Sequence, residues 1–284
     1  MKQIILLCIA ALLAHGCTRH QGFIIEGTLS GIDTGKILLQ EYIGQSKYKN
    51  LDSAKIFGGN FVMKGQIEHP RSIIVGIEGH RGQTSFWLEN SRITFIGHAD
   101  SLYKAQISGS SSHDEYLEYN EYINPFREAS RVAYQQFSEA KKSGPDEEIN
   151  RRQFISDSVK KIETDAILDY VKTHPGSHVG ASMLKSSLYY LTWQELNEAV
   201  SSLDTEVAET DVIVGIKERI AVLKTVDIGQ KAPDFIMNDP QGVPVRFYDL
   251  LAGKKLILLD FWAAWCGPCR QENPFVVNTY NQFQ

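Results

Sequence analysis

Two cysteines separated by two residues, Cys266-Gly267-Pro268-Cys269, are the strongest chemical feature of this 284-residue chain. Such a pair suits a redox-active dithiol where a buried strand hands over to a helix. The preceding run Lys255-Leu256-Ile257-Leu258-Leu259-Asp260-Phe261-Trp262 is continuously apolar apart from its ends and Asp260, and is expected as a strand covered on both faces. Cys266 would then open a helix, where unpaired backbone N–H groups and the helix dipole favour a thiolate. The thiolate is the nucleophile, and such surroundings depress a cysteine pKa from about 8.5 to roughly 3.5–7.5. Cys269, one turn inside the helix, is expected to be shielded from substrate yet within reach of Cys266. From there it can attack a mixed disulfide and release the reduced product. Pro268 suits the first helical turn because its missing N–H costs nothing there. A structural zinc site would need a second cysteine pair that the sequence does not offer. A permanently closed structural disulfide is the other alternative.

The segment Asp260-Phe261-Trp262-Ala263-Ala264-Trp265-Cys266-Gly267-Pro268-Cys269-Arg270 closely resembles the active-site segment of thioredoxins. The resemblance implies that Trp265 and Pro268 shape the site. It also implies that Asp260 is a buried acid shuttling protons for the inner cysteine, and burial would raise its pKa as a proton acceptor requires. Pro274 matches the proline that kinks the first thioredoxin helix. Glu272, with the lead-in Ala232-Pro233-Asp234-Phe235, is more similar to the TlpA/ResA-type envelope oxidoreductases, and by that resemblance helps to tune the cysteine pair. A thioredoxin fold also needs a cis-proline loop well beyond the second cysteine, so residues 228–284 are expected to be the N-terminal half of such a domain, in a chain truncated at its C-terminus.

The rest of the chain must position this site. Between residues 22 and 110, short bursts such as Phe23–Gly27, Lys36–Gln40, Asn60–Gly65, Ile73–Val75, Phe86–Leu88 and Ile93–Ile96 alternate with turn residues, which predicts an antiparallel β-sandwich. Asp52-Ser53 is expected as a turn. His69, His80 and His98 share no metal-ligand spacing. Residues 111–227 turn helical, with breaks at Ser143-Gly144-Pro145 and His174-Pro175-Gly176 and a capping box at Thr192–Glu195. This region holds 21 acidic and 13 basic side chains, so the chain's acidity is local to solvated helix faces. His174 and His178 have the offset of a metal pair, but Pro175 and Gly176 argue against a shared helix, and no metal site is expected. The fold class is therefore α+β and multi-domain: a β-sandwich, a helical middle and a partial thioredoxin-like α/β fold. Upstream, the sandwich and helices are similar to the N-terminal extension of lipoprotein members of the TlpA/ResA branch.

Residues 1–17 read as an export signal. Lys2 precedes an apolar stretch from Ile4 to Ala14, and eleven helical residues rise only about 16 Å against a bilayer core of about 30 Å. Leu13-Ala14-His15-Gly16-Cys17 resembles a bacterial lipoprotein signal, which makes Cys17 the expected lipidation site and discards Cys8. Composition excludes other classes. With 43% hydrophobic residues and only one apolar run, the chain is not a polytopic membrane protein, and a net charge of −5 argues against nucleic-acid binding.

The expected function is thiol–disulfide exchange on envelope proteins, facing the periplasm, with a membrane thiol donor as electron source and no cofactor. One alternative is a lipid-anchored binding module with an inactive redox segment. The other is a thiol peroxidase, whose signature Pro-x-x-x-Thr-x-x-Cys would place its proline at Trp262 and its threonine at Cys266 if its cysteine were Cys269.

Overall fold

A computed structural model describes residues 22–44 and 47–283. The chain divides into two compact units, Met1–Lys224 and Thr225–Gln284. Cys17 and the expected export signal lie outside the described residues.

The first unit begins with eight strands: β1 Phe23–Ser30, β2 Thr34–Gly44, β3 Lys47–Phe57, β4 Asn60–Gly65, β5 Arg71–Ile77, β6 Gln83–Leu88, β7 Arg92–His98 and β8 Gln106–Ser108. Strict alternation sets their faces. In β1, Phe23, Ile25, Gly27 and Leu29 point inward while Glu26, Thr28 and Ser30 point to solvent. Gly27 has no room for a side chain, since a Cβ there would lie 2.0 Å from the Phe61 ring.

The eight strands are connected in the order β6-β5-β2-β3-β4-β1-β7-β8, with the halves β6-β5-β2-β3 and β4-β1-β7-β8 joined by the single pair Phe57–Asn60. One pairing, β1 with β7, is parallel. The sheet curls over its own core, because Phe86 on β6 and Phe95 on β7 lie towards opposite ends of that order and yet their rings are 6.4 Å apart. The turn expected at Asp52-Ser53 is instead the middle of β3, paired with Leu39 and Leu38. Nearly every β3 side chain is exposed, so that strand carries no apolar alternation by which to announce itself.

Helices follow: α1 Ser111–Ser143, α2 Asp146–Thr173, α3 His178–Ser186, α4 Trp193–Ser201, α5 Thr205–Ala208 and α6 Asp211–Thr225. The breaks fall at the Gly144-Pro145 and Pro175-Gly176 turns, and Thr192 and Glu195 form the reciprocal capping box at the start of α4.

The start of α1 is fastened to the sheet. Ser110 caps it, accepting from the His113 N–H at 3.1 Å and donating to the Trp87 carbonyl at 2.7 Å. Glu89 accepts from the backbone N–H groups of Ser111 at 2.8 Å and Ser112 at 3.0 Å, and from both hydroxyls. Partial burial alone would raise the Glu89 pKa, but these hydrogen bonds outweigh it and hold the carboxyl below its ordinary value of 4.5. Trp87 on β6 packs with Tyr119 and Ile123 of α1, Ile167 and Tyr170 of α2, and Val179 of α3. A separate helical core gathers Leu184, Leu196, Ile213 and Ile216.

The second unit is sparse. A hairpin of β9 Ile236–Asn238 and β10 Pro244–Arg246 precedes a 3-10 turn at Phe247–Leu251, and α7 spans Gly267–Phe283. The strand expected over Leu256–Trp262 does not form. Those residues are irregular backbone, and the only sheet in this unit among the described residues pairs β9 with β10. A strand exists by virtue of its neighbours, and none lies beside this run. Most of its side chains stay in solvent, with Leu256 89% and Phe261 82% exposed. No helix among the described residues is long and apolar enough to cross a membrane.

Candidate active site

The dithiol stands where helix geometry gives it an electrostatic advantage. Cys266 immediately precedes α7 and acts as its cap: its carbonyl accepts from the Arg270 N–H at 3.1 Å, while its own N–H donates to the Ala263 carbonyl at 2.9 Å. Its sulfur accepts from the Cys269 N–H at 3.3 Å. A helix leaves its first N–H groups without intrahelical partners. Here one of them is directed at the Cys266 sulfur, and the macrodipole places its positive end on the same side.

Cys266 and Cys269 are bonded as a disulfide, with Cα atoms 5.3 Å apart. That separation is ordinary for a disulfide. Both cysteines are half-buried, which differs from the expected contrast of a shielded Cys269 beside an open Cys266. Pro268 lies in the first turn, as its fixed φ and missing N–H favour. Trp265 is 89% exposed and borders the pair from the N-terminal side. Glu272 is exposed on α7, three residues past Cys269 and thus on the same side of the helix. Pro274 sits inside α7, and its ring leaves the Arg270 carbonyl without a helical donor.

Asp260 lies outside any packed core. The sequence predicts a carboxyl buried in a doubly covered strand, whereas the residue is exposed on the irregular segment before the site. Its burial depends on strands packed around residues 256–262, and among the described residues of this unit none is present.

The lead-in segment has a clear structural role. Asp234 accepts hydrogen bonds from the Arg246 guanidinium and from the Tyr248 N–H at 3.1 Å. Tyr248 donates its hydroxyl to the Ala232 carbonyl at 2.6 Å, and the Phe235 and Phe247 rings stack with centroids 5.0 Å apart. These contacts brace the hairpin against the turn that follows it. Sequence spacing alone gives no sign of the Asp234–Arg246 pair, because the loop of the hairpin separates its members.

A disulfide-bonded Cys-x-x-Cys pair thus stands at the start of a helix, behind an apolar run and a hairpin. Residues 228–284 match the AhpC/TSA family, and residues 23–116 match a domain of unknown function, DUF4369. Among curated relatives, the thiol-disulfide oxidoreductase ResA of Bacillus subtilis is 34% identical over 61 residues, covering 22% of this chain and 33% of the relative. ResA of Geobacillus thermodenitrificans is 37% identical over 59 residues, covering 21% and 33%. The thioredoxin-like protein YneN of Bacillus subtilis is 52% identical over 46 residues, covering 16% and 26%. The chain thus spans about a third of the length of the ResA relatives it matches. Its C-terminal segment is similar to thioredoxin-like thiol–disulfide oxidoreductases.

Proposed function

We propose that this protein is a thiol–disulfide oxidoreductase that reduces disulfides in proteins of the cell envelope. The observation that carries the reading is the Cys269 N–H placed on the Cys266 sulfur at the start of α7. In the reduced protein, the Cys266 thiolate attacks one sulfur of a client disulfide, forming a mixed disulfide and expelling a client thiolate. Cys269, deprotonated, then attacks the Cys266 sulfur, closing the intramolecular disulfide and expelling the second client thiolate. Two electrons pass to the client, whose thiolates take up two protons. A membrane thiol donor returns the electrons to the closed pair.

In this reading residues 228–284 are the front half of a thioredoxin-like domain. Strands packed on Leu256–Trp262 bury Asp260 and let it accept the Cys269 proton, while Glu272, Trp265 and Pro268 set the reactivity and access of the pair. Lipidation of Cys17 tethers the protein on the periplasmic side. Equilibration with glutathione tests the direction of flow. A potential near the thioredoxin value of about −270 mV is expected, and one near the DsbA value of about −120 mV would overturn reduction as the role.

The separate cores of the first unit support a second reading, a tethered binding module that recognises a partner through its sheet and helices. Insulin reduction separates the two. A binding module shows none above a Cys266→Ser, Cys269→Ser control, even when the chain is extended by the remaining strands of a thioredoxin-like domain.

A further inference from the structure

A second cluster, within the first unit, carries chemistry that the thiol reading does not use. Ligand atoms of His69, His178 and Glu206 all lie within 4.8 Å of one another. Three separate segments supply them. His69 sits in the β4–β5 connection, immediately before Pro70. His178 opens α3 behind the Ser177 cap, whose Oγ accepts from the Gly180 N–H at 2.7 Å. Glu206 lies on α5, and the Asp204 N–H, donating to the Pro175 carbonyl at 3.0 Å, fastens the start of α5 to the turn leading into α3. The two imidazole rings lie 5.6 Å apart between centroids. Nδ1 of His69 is buried without a hydrogen-bond partner, although buried polar atoms are nearly always paired. His69 and His178 line a cleft of about 520 Å³, whose wall carries Glu41, Glu68, Glu209 and Asp211 against Arg71 and Lys185.

We propose that His69, His178 and Glu206 bind a divalent cation of the zinc class, with a solvent ligand from the cleft completing the site. Two imidazoles and a carboxylate suit zinc at about 2.0–2.2 Å, whereas magnesium and calcium prefer oxygen alone. Ligands of a tetrahedral ion at that distance stand about 3.4 Å apart, so the cluster closes by at most about 1.4 Å. A change of that size is within the reach of side-chain rotation about χ1 and χ2. Three protein ligands and an open position make an exchangeable site rather than a closed structural one. The carboxylate excess on the cleft wall draws the cation in.

The test is calorimetric titration of Zn²⁺ into the untagged, oxidised full chain with its free thiols alkylated, so that no sulfur competes. One equivalent is expected to bind, about tenfold or more weakly in His69→Ala and His178→Ala, and unchanged in His80→Ala. Lack of binding tighter than about 100 µM, or equal affinity in the two alanine variants, would overturn the site. Should an alanine variant fail to fold, Co²⁺ added to the unaltered chain decides the matter by NMR. Selective broadening of the His69 and His178 ring signals supports the site, and broadening confined to other histidines rejects it.

Discussion

The two units of this chain differ in how much of their apolar sequence they use. In the first, alternating strands and helix faces close on buried clusters in which Ile37, Phe95 and Ile213 are wholly hidden. In the second, Phe247 is the only hydrophobic side chain that is buried among the described residues, and α7 buries none. Among the described residues, the unit with the packed core carries no dithiol, and the unit with the dithiol has almost no core. Capping of α7 by Cys266 therefore needs only a helix start, while burial of Asp260 needs a whole covered strand.

Hydrogen exchange offers the sharpest contrast. Amides in the centre of β1, β5 and β7 are expected to exchange at least about 10³-fold more slowly than free peptide, and those of residues 255–263 within about tenfold of it. Equal protection in both places would abolish the distinction. Truncating a core ring comes next: Phe95→Ala should cost about 3–5 kcal/mol in denaturant unfolding. Phe261→Ala, at an exposed site, should change stability by no more than about 0.5 kcal/mol.

The junction of sheet and α1 gives a smaller, pH-dependent effect. Because the Glu89 pKa lies below 4.5 in the folded chain, the unfolded chain takes up this proton first as pH falls. The contribution of Glu89 is thus complete above pH 4.5 and drains as pH drops through the folded value. Glu89→Gln should cost about 1–2 kcal/mol at neutral pH and flatten the acid limb of the stability curve. The least change is expected at Thr192→Ala, about 1 kcal/mol from loss of the α4 capping box, read from the thermal midpoint.

What can be read from sequence follows the range of the forces involved. Cys266 as a helix cap, the Thr192 box and the turns at Gly144 and Pro175 are decided by residues within one helical turn, and their sequence signals hold. Strands with one buried face, such as Phe23–Ser30, declare themselves by alternation. The polar β3, the parallel β1–β7 pairing and the curl that brings Phe86 to Phe95 depend on residues far apart in the chain, so no local pattern encodes them. Asp260 departs from expectation for the same reason: a run of leucines shows a need for cover, and the cover itself comes from elsewhere. His69, His178 and Glu206 have no mutual spacing to notice, and only the fold brings them together.

The proposed thiol exchange requires that the start of α7 activate Cys266. The direct measurement is the pH profile of iodoacetamide alkylation of Cys266 in the reduced Cys269→Ser variant, with Cys8 and Cys17 replaced by serine. The profile should titrate within roughly 3.5–7.5. Titration at or above about 8.5, the value of an unassisted thiol, would contradict it.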